Sequence, residues 1–141
     1  MKGEIKISLK KTAIISKTKD EIDIYNAVNE IRKDMGVQTL ELDEELCRFA
    51  RIRAQEQTKR KGHTRPDESR FHTVFKENGY KTNCCGENIL TSSSFDVELG
   101  IHRWCNSVSH RENMIDSRWV KTGVGIYSAD GITYCVQLFA C

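Results

Sequence analysis

Apolar residues recur with a helical period through the first third of the chain. Ile24, Val28, Ile31 and Met35 lie four, three and four apart. That spacing puts them on one face of a helix that Asp20 opens and Gly36 stops. Leu40 and Leu42 lead into Asp43, an N-cap candidate with Glu44 and Glu45 at the favourable end of a helix dipole. Leu46, Phe49, Ala50, Arg53 and Ala54 mark a second helix running to about Lys61, and its small alanines predict close packing against another layer. Gly62 ends that helix. Pro66, the single proline, suits a first helical turn with Asp67 and Glu68 beside it. Phe71, Val74 and Phe75 predict a short third helix closed by Gly79. Val97, Ile101, Trp104 and Val108 repeat the four-three-four spacing and predict a fourth, capped by Ser93 or Ser94. Asn113 to Ile115 add a further helical turn.

The period then changes. Residues 81–86 read as a turn and Glu87 to Leu90 as a short strand or extended segment. Val120, Thr122, Val124 and Ile126 alternate with Lys121, Gly123, Gly125 and Tyr127. Asp130-Gly131 is a hairpin turn signal, and Ile132 to Phe139 follow as a second strand. Near the start, Ile5, Ile7 and Leu9 alternate as in a short strand or extended arm. Helices first and an antiparallel hairpin last predict an α+β fold, with helices packed on a small sheet.

A chain of 141 residues suits one domain with a sizeable core. Its charge is uneven. Residues 1–19 carry six lysines against Glu4 alone, a net of +5, while residues 20–141 carry 16 basic and 19 acidic side chains, a net of −3. The basic character belongs to an N-terminal arm or linker, residues 1–19, and not to the domain, residues 20–141. Nucleic-acid binding would need a basic face on the folded body, so no nucleic-acid partner is expected. No apolar run approaches the roughly 20 residues that span a bilayer. Six cysteines, an even count, favour an oxidising compartment, and their spacing contains no C-x-x-C pair of the zinc-finger kind. Residue spacing leaves their pairing open. The opening residues are charged and lack the apolar segment of a signal peptide, so a secreted location implies a signal already removed.

Four polar residues sit where the apolar pattern does not ask for them: His63 in GHTRPD, Glu87 in GENI, His110 in SVSHRENM and Gln137 in YCVQLF. Each alone has an ordinary structural account as a cap, a surface residue or an edge-strand residue. Together, two imidazoles and a carboxylate are zinc-ligand types, and a catalytic zinc site uses three protein ligands plus water. The same set could serve acid–base chemistry, with Glu87 tuning a histidine. Ser107, one helical turn before His110, or Ser109 is a hydroxyl nucleophile only if a buried third group orients the histidine.

The chain resembles the CAP superfamily of cysteine-rich secretory, antigen 5 and plant pathogenesis-related proteins, and within it the small secreted bacterial branch. The resemblance rests on Asn29-x-x-Arg32, Leu40 and Leu46, His63-Thr64-Arg65-Pro66-Asp67, Gly79-Tyr80 and Gly86-Glu87-Asn88-Ile89. It continues through Trp104-x-x-Ser107, His110-Arg111-x-Asn113-Met114, Gly123-Val124-Gly125 and Tyr134-x-Val136-Gln137-x-Phe139, and covers about residues 22–140. It implies an α-β-α sandwich around a three-stranded antiparallel sheet. It also implies a central cleft where His63, Glu87 and His110 converge, with Ser107, Arg65, Asn88 and Gln137 as further cleft candidates. Many relatives carry a second glutamate where this chain has Ser107, so the expected zinc affinity is weakened. No cofactor is required by this reading; zinc, held by His63, Glu87 and His110, is the candidate metal. The function implied is a secreted, non-catalytic binding module for a divalent metal, a small apolar ligand, a cell-wall component or a host protein. The alternatives are a zinc-assisted hydrolase of peptides or cell-wall material, and a purely structural domain.

Overall fold

The computed structural model describes residues 17–141. The alternating stretch Ile5 to Leu9, and the rest of the arm through residue 16, lie outside the described residues. Helix α1 spans Lys19–Asp34, one residue ahead of Asp20. Its start is a capping box: Glu21 N donates to Thr18 Oγ1 at 3.2 Å, and Thr18 N donates to Glu21 Oε1 at 2.8 Å. Met35 falls past the helix end as its C-cap and is 59% exposed, so the apolar face is carried by Ile24 and Val28, with Ile31 partly buried. Strand β1 is Glu41–Leu42, and α2 is Glu44–Glu56 with Asp43 as the N-cap. This helix stops five residues short of Lys61, because Gln57 and Gly62 close a turn by exchanging side-chain and backbone hydrogen bonds.

Pro66 starts no helix; it sits in a loop pinned by the isolated bridge between Thr64 and Arg70. Helix α3 is Thr73–Glu77, and β2 runs Cys85–Ser92, longer than the segment the sequence suggests. Asp96, not Ser93 or Ser94, caps α4, Val97–Cys105. The predicted run through Val108 breaks at Asn106–Ser107, where Ser107 takes an extended backbone and starts α5, Val108–Ile115. Val108 is accordingly exposed. The hairpin is β3, Lys121–Ala129, and β4, Ile132–Ala140, and both turn residues, Asp130 and Gly131, have positive φ.

The sheet has four strands in the order β1-β3-β4-β2 and is mixed, where three antiparallel strands were expected. The addition is β1, which pairs parallel with β3 through Glu41 and Leu42 opposite Lys121 and Thr122. Two residues are too few to show a period of two. Alternation along β4 sorts the core into two layers. Tyr134, Val136, Leu138 and Ala140 meet α2 and α3 through Leu46, Phe49, Ala50, Val74 and Phe75. Cys135 and Phe139 face the other way, to Ile24, Val28, Trp104, Met114 and Trp119. An α-β-α sandwich results. Arg32, fully buried in α1, donates to the carbonyls of Gln38, Met114 and Asp116 and ties three segments together. Cys84 and Cys141 form a disulfide, and Cys47, Cys85, Cys105 and Cys135 are free.

Candidate functional site

Glu87 lies on β2 opposite Leu138, on the face that α2 covers. A carboxylate there needs a cation, and α2 supplies Arg53. Its Nε donates to Glu87 Oε2 at 2.7 Å and its Nη2 to Oε1 at 3.2 Å, with both side chains fully buried. Arg53 also donates to Glu56 Oε1 and to the Gly62 carbonyl, at 2.8 and 2.7 Å. The chain of charges goes on: Arg65 holds Glu56 through both carboxylate oxygens and reaches Glu77 on α3. Burial alone would push the Glu56 carboxyl up, but the hydrogen bonds from Arg65 and Arg53 outweigh it and hold it below the usual range. His63 follows Gly62, whose φ of +104° turns the chain out of the α2 end. Its Nδ1 lies 2.8 Å from Glu87 Oε1. An ionised carboxylate only accepts, so His63 Nδ1–H donates, and in the neutral ring Nε2 is then left as an acceptor. Its side chain is 51% exposed.

His110 approaches from the other side of the edge strand. Ser107 is the N-cap of α5 by position, yet its hydroxyl caps no backbone N–H; it lies 2.7 Å from His110 Nδ1. The imidazole stacks on Trp104, with centroids 6.3 Å apart and an interplanar angle of 16°. Helix α5 is fastened to β2 by Asn88 Nδ2 donating to the His110 carbonyl and by Asn113 Nδ2 donating to the Glu87 carbonyl, at 3.0 and 3.2 Å. Trp104 Nε1 donates to the Ile89 carbonyl and Arg103 to that of Thr91, at 3.1 and 3.0 Å. Three alternate carbonyls of an edge strand are thereby covered by side-chain donors, a device that blunts edge-to-edge pairing. The stretch from Arg103 to Asn113 therefore seats His110 and closes the sheet edge at once. Gly86 leaves room for Trp119, whose ring a Cβ there would meet at 2.8 Å.

Burial pushes the His110 imidazole below its ordinary value, and His63 and Arg103 add to the shift. The folded state therefore favours the neutral ring. As pH falls below about 6.5 the unfolded chain takes up a proton that the folded one resists, and stability is lost until the lowered folded value is passed. Urea unfolding of the wild type between pH 7.5 and 5 should show this loss, and His110→Gln should flatten it. Equal slopes for the two proteins would refute the assignment.

The structure thus brings His63 and Glu87 into direct contact, and Ser107 onto His110. His63 is near enough to His110 to lower its proton affinity. Asn88 positions α5 from the strand. Arg65 points instead to Glu56 and Glu77. Gln137 is fully buried on the interior strand β4, where its Nε2 donates to Thr122 Oγ1 at 2.9 Å, so it lies within the core. The sequence marks Arg53 only as a position on the second helix and Glu56 not at all, because a helical arginine and glutamate three apart read as an ordinary surface pair. The donor set does not fit a three-ligand zinc site. Both Glu87 oxygens are engaged by Arg53 and His63, Ser107 offers a neutral hydroxyl, and among the described residues no three His, Cys, Asp or Glu side chains form a metal-holding group.

A three-layer α+β sandwich, with Glu87 on its edge strand paired to the loop residue His63, sets the class of protein. The sequence profile described as CAP, the cysteine-rich secretory protein family, matches residues 25–139, and the chain belongs to that family. It is 26% identical over 114 residues to the protein YkwD of Bacillus subtilis, covering 79% of this chain and 44% of that protein. Its fold is that of an outer surface protein of Borrelia burgdorferi, with a TM-score of 0.80, 23% identity, and 89% and 95% of the two chains covered. An extracellular protein containing an SCP domain from Bacillus anthracis also shares it, with a TM-score of 0.78 and 22% identity over 86% of this chain and 40% of that one. The chain spans less than half the length of the B. subtilis and B. anthracis proteins. Among the described residues no helix is long and apolar enough to cross a membrane.

Proposed function

We propose that this chain is an extracellular binding module whose His63–Glu87–His110 site holds a hydroxyl-rich cell-wall component and performs no chemistry on it. The observation that carries the reading is the commitment of Glu87. Its carboxylate is buried, neutralised by Arg53 and used to orient His63, so it is withdrawn from service as a metal ligand or as a base toward substrate. What remains for a ligand is a pair of oriented imidazoles. His63 Nε2 accepts. When Ser107 donates to His110 Nδ1, His110 Nε2–H donates. One acceptor and one donor match a hydroxyl, which needs both. Extracellular placement is supported by the family and by relatives from outside the cell.

A hydrolase reading draws on the His63–Glu87 contact, a carboxylate–imidazole dyad of the kind that activates a nucleophile. However, Ser107 faces His110 through Nδ1 and not His63. The test is a titration with soluble muropeptides, followed by the ring signals of His63 and His110 in NMR. Both should move together in the wild type, with the ligand recovered intact, and the response should vanish in His63→Ala. Cleaved muropeptide, or shifts that avoid both rings, would overturn the proposal. Micromolar zinc binding by calorimetry, lost in both His63→Ala and His110→Ala, would replace it with a metal site.

A further inference from the structure

An open cavity of about 780 Å³ lies between α3 and the start of β2, and neither His63 nor His110 lines it. Its size falls within the range of small-molecule sites. The apolar part is aromatic. Phe75, almost fully buried, and Tyr80 meet edge to face with centroids 5.6 Å apart, and the half-buried Cys85 adds to the lining. Tyr80 is fixed, because its hydroxyl donates to Asp43 Oδ2 at 3.2 Å. The lining side chains include no carboxylate, and Asp43 is engaged by the Tyr80 hydroxyl. Lys76 on α3 and Lys81 on the following loop are both exposed and both line the cavity, with His72, Thr82 and Asn83 as further donors in the lining. Aromatic rings lining a cavity that two lysines also line favour an anion with an apolar body over a neutral or cationic one.

The loop that forms one wall is held in place independently of any ligand. Gly79 has a φ of +70°, which turns the chain out of α3. Beyond it, Cys84 is tied to Cys141 by the disulfide and by Cys141 N donating to the Cys84 carbonyl at 3.1 Å. Thr82 Oγ1 donates to the same carbonyl at 2.9 Å. A wall ordered in advance removes part of the entropic cost of binding.

We infer that this cavity is a second binding site, for a small organic anion with a flat, ring-sized apolar body, such as an aromatic carboxylate, sulfonate or phosphate ester. It goes beyond the proposed histidine site and does not depend on it. The probe is 8-anilinonaphthalene-1-sulfonate, with the uncharged N-phenyl-1-naphthylamine as its partner, followed by fluorescence and by backbone NMR. One molecule should bind per chain, shift the amides of Gly79, Tyr80 and Asn83, and leave His63→Ala unaffected. The double variant Lys76→Glu/Lys81→Glu, on two exposed positions that the fold tolerates, should lose at least about tenfold in affinity, and the uncharged analogue should bind more weakly by a similar factor. Equal affinity for the two probes, an unchanged double variant, or shifts centred on His63 and His110 would overturn the assignment.

Discussion

Gly123→Ala is expected to keep the chain from folding stably. A Cβ at Gly123 would lie 2.1 Å from the Leu46 carbonyl carbon, 2.2 Å from Cys47 N and 2.5 Å from the Leu46 carbonyl oxygen. Every one of these atoms is backbone, so no rotamer change relieves the clash. Gly125 repeats the situation one pleat along, with Arg51 N at 2.2 Å and the Ala50 carbonyl carbon at 2.4 Å. Helix α2 therefore rests directly on the backbone of β3, along a strip where the strand has no side chains. Making room means lifting the helix by more than about 1 Å, because ordinary carbon contacts begin near 3.5–4 Å. That lift would unseat Leu46, Phe49, Ala50 and Ala54 from Val136 and Leu138 together. Ordinary overpacking costs about 1–3 kcal/mol, and a clash with rigid backbone under a whole helix should exceed it. Against a total stability of about 5–15 kcal/mol, that is a large fraction. Thermal unfolding by circular dichroism checks it, with Gly125→Ala beside it. A melting temperature within about 3 °C of the wild type would mean a loss of only about 1 kcal/mol, and the close seating of α2 would then be wrong.

These two glycines also show what the sequence conceals. Gly123 and Gly125 alternate with Val124 and Ile126, and the strand is visible in that alternation. The alanines of α2 announce a close neighbour. Nothing in either segment says that the neighbour of one is the other, because the pairing spans about 75 residues. The helices and the hairpin are legible because apolar period and turn chemistry are local signals. Strand β1 is not, since two residues carry no period. Thr18 and Glu21 form a capping box whose Thr-x-x-Glu spacing is present in the sequence, and Glu21 then does more than cap. It also receives both Nε and Nη2 of Arg51 and the amide of Ile126, contacts set by the tertiary fold. The site follows the same division. His63, Glu87 and His110 stand out as polar residues at element boundaries. Arg53, which decides what Glu87 can do, is legible only as one more position of a regular helix, and its partner on β2 is not.

Arg53→Met is expected to be the most damaging change to the site itself, at about 3–5 kcal/mol, the usual cost of breaking a buried ion pair by removing one partner. The methionine fills much of the space. The loss comes from Glu87, whose buried carboxylate would keep only His63 as a partner. The Gly62 carbonyl would also lose its contact with Arg53 Nη2, though it retains the donor on Gln57. The double variant Arg53→Met/Glu87→Leu removes the stranded charge and should recover most of the stability, since a buried ion pair replaced by packed apolar groups is often neutral or better. It should not recover the proposed muropeptide response, because His63 Nδ1 would then lack its acceptor and the ring its fixed orientation. Stability and ligand response would thus part company in the double variant. If both returned, the carboxylate would be a structural filler. If neither returned, Arg53 would matter for its contacts to Glu56 and Gly62 and not for Glu87.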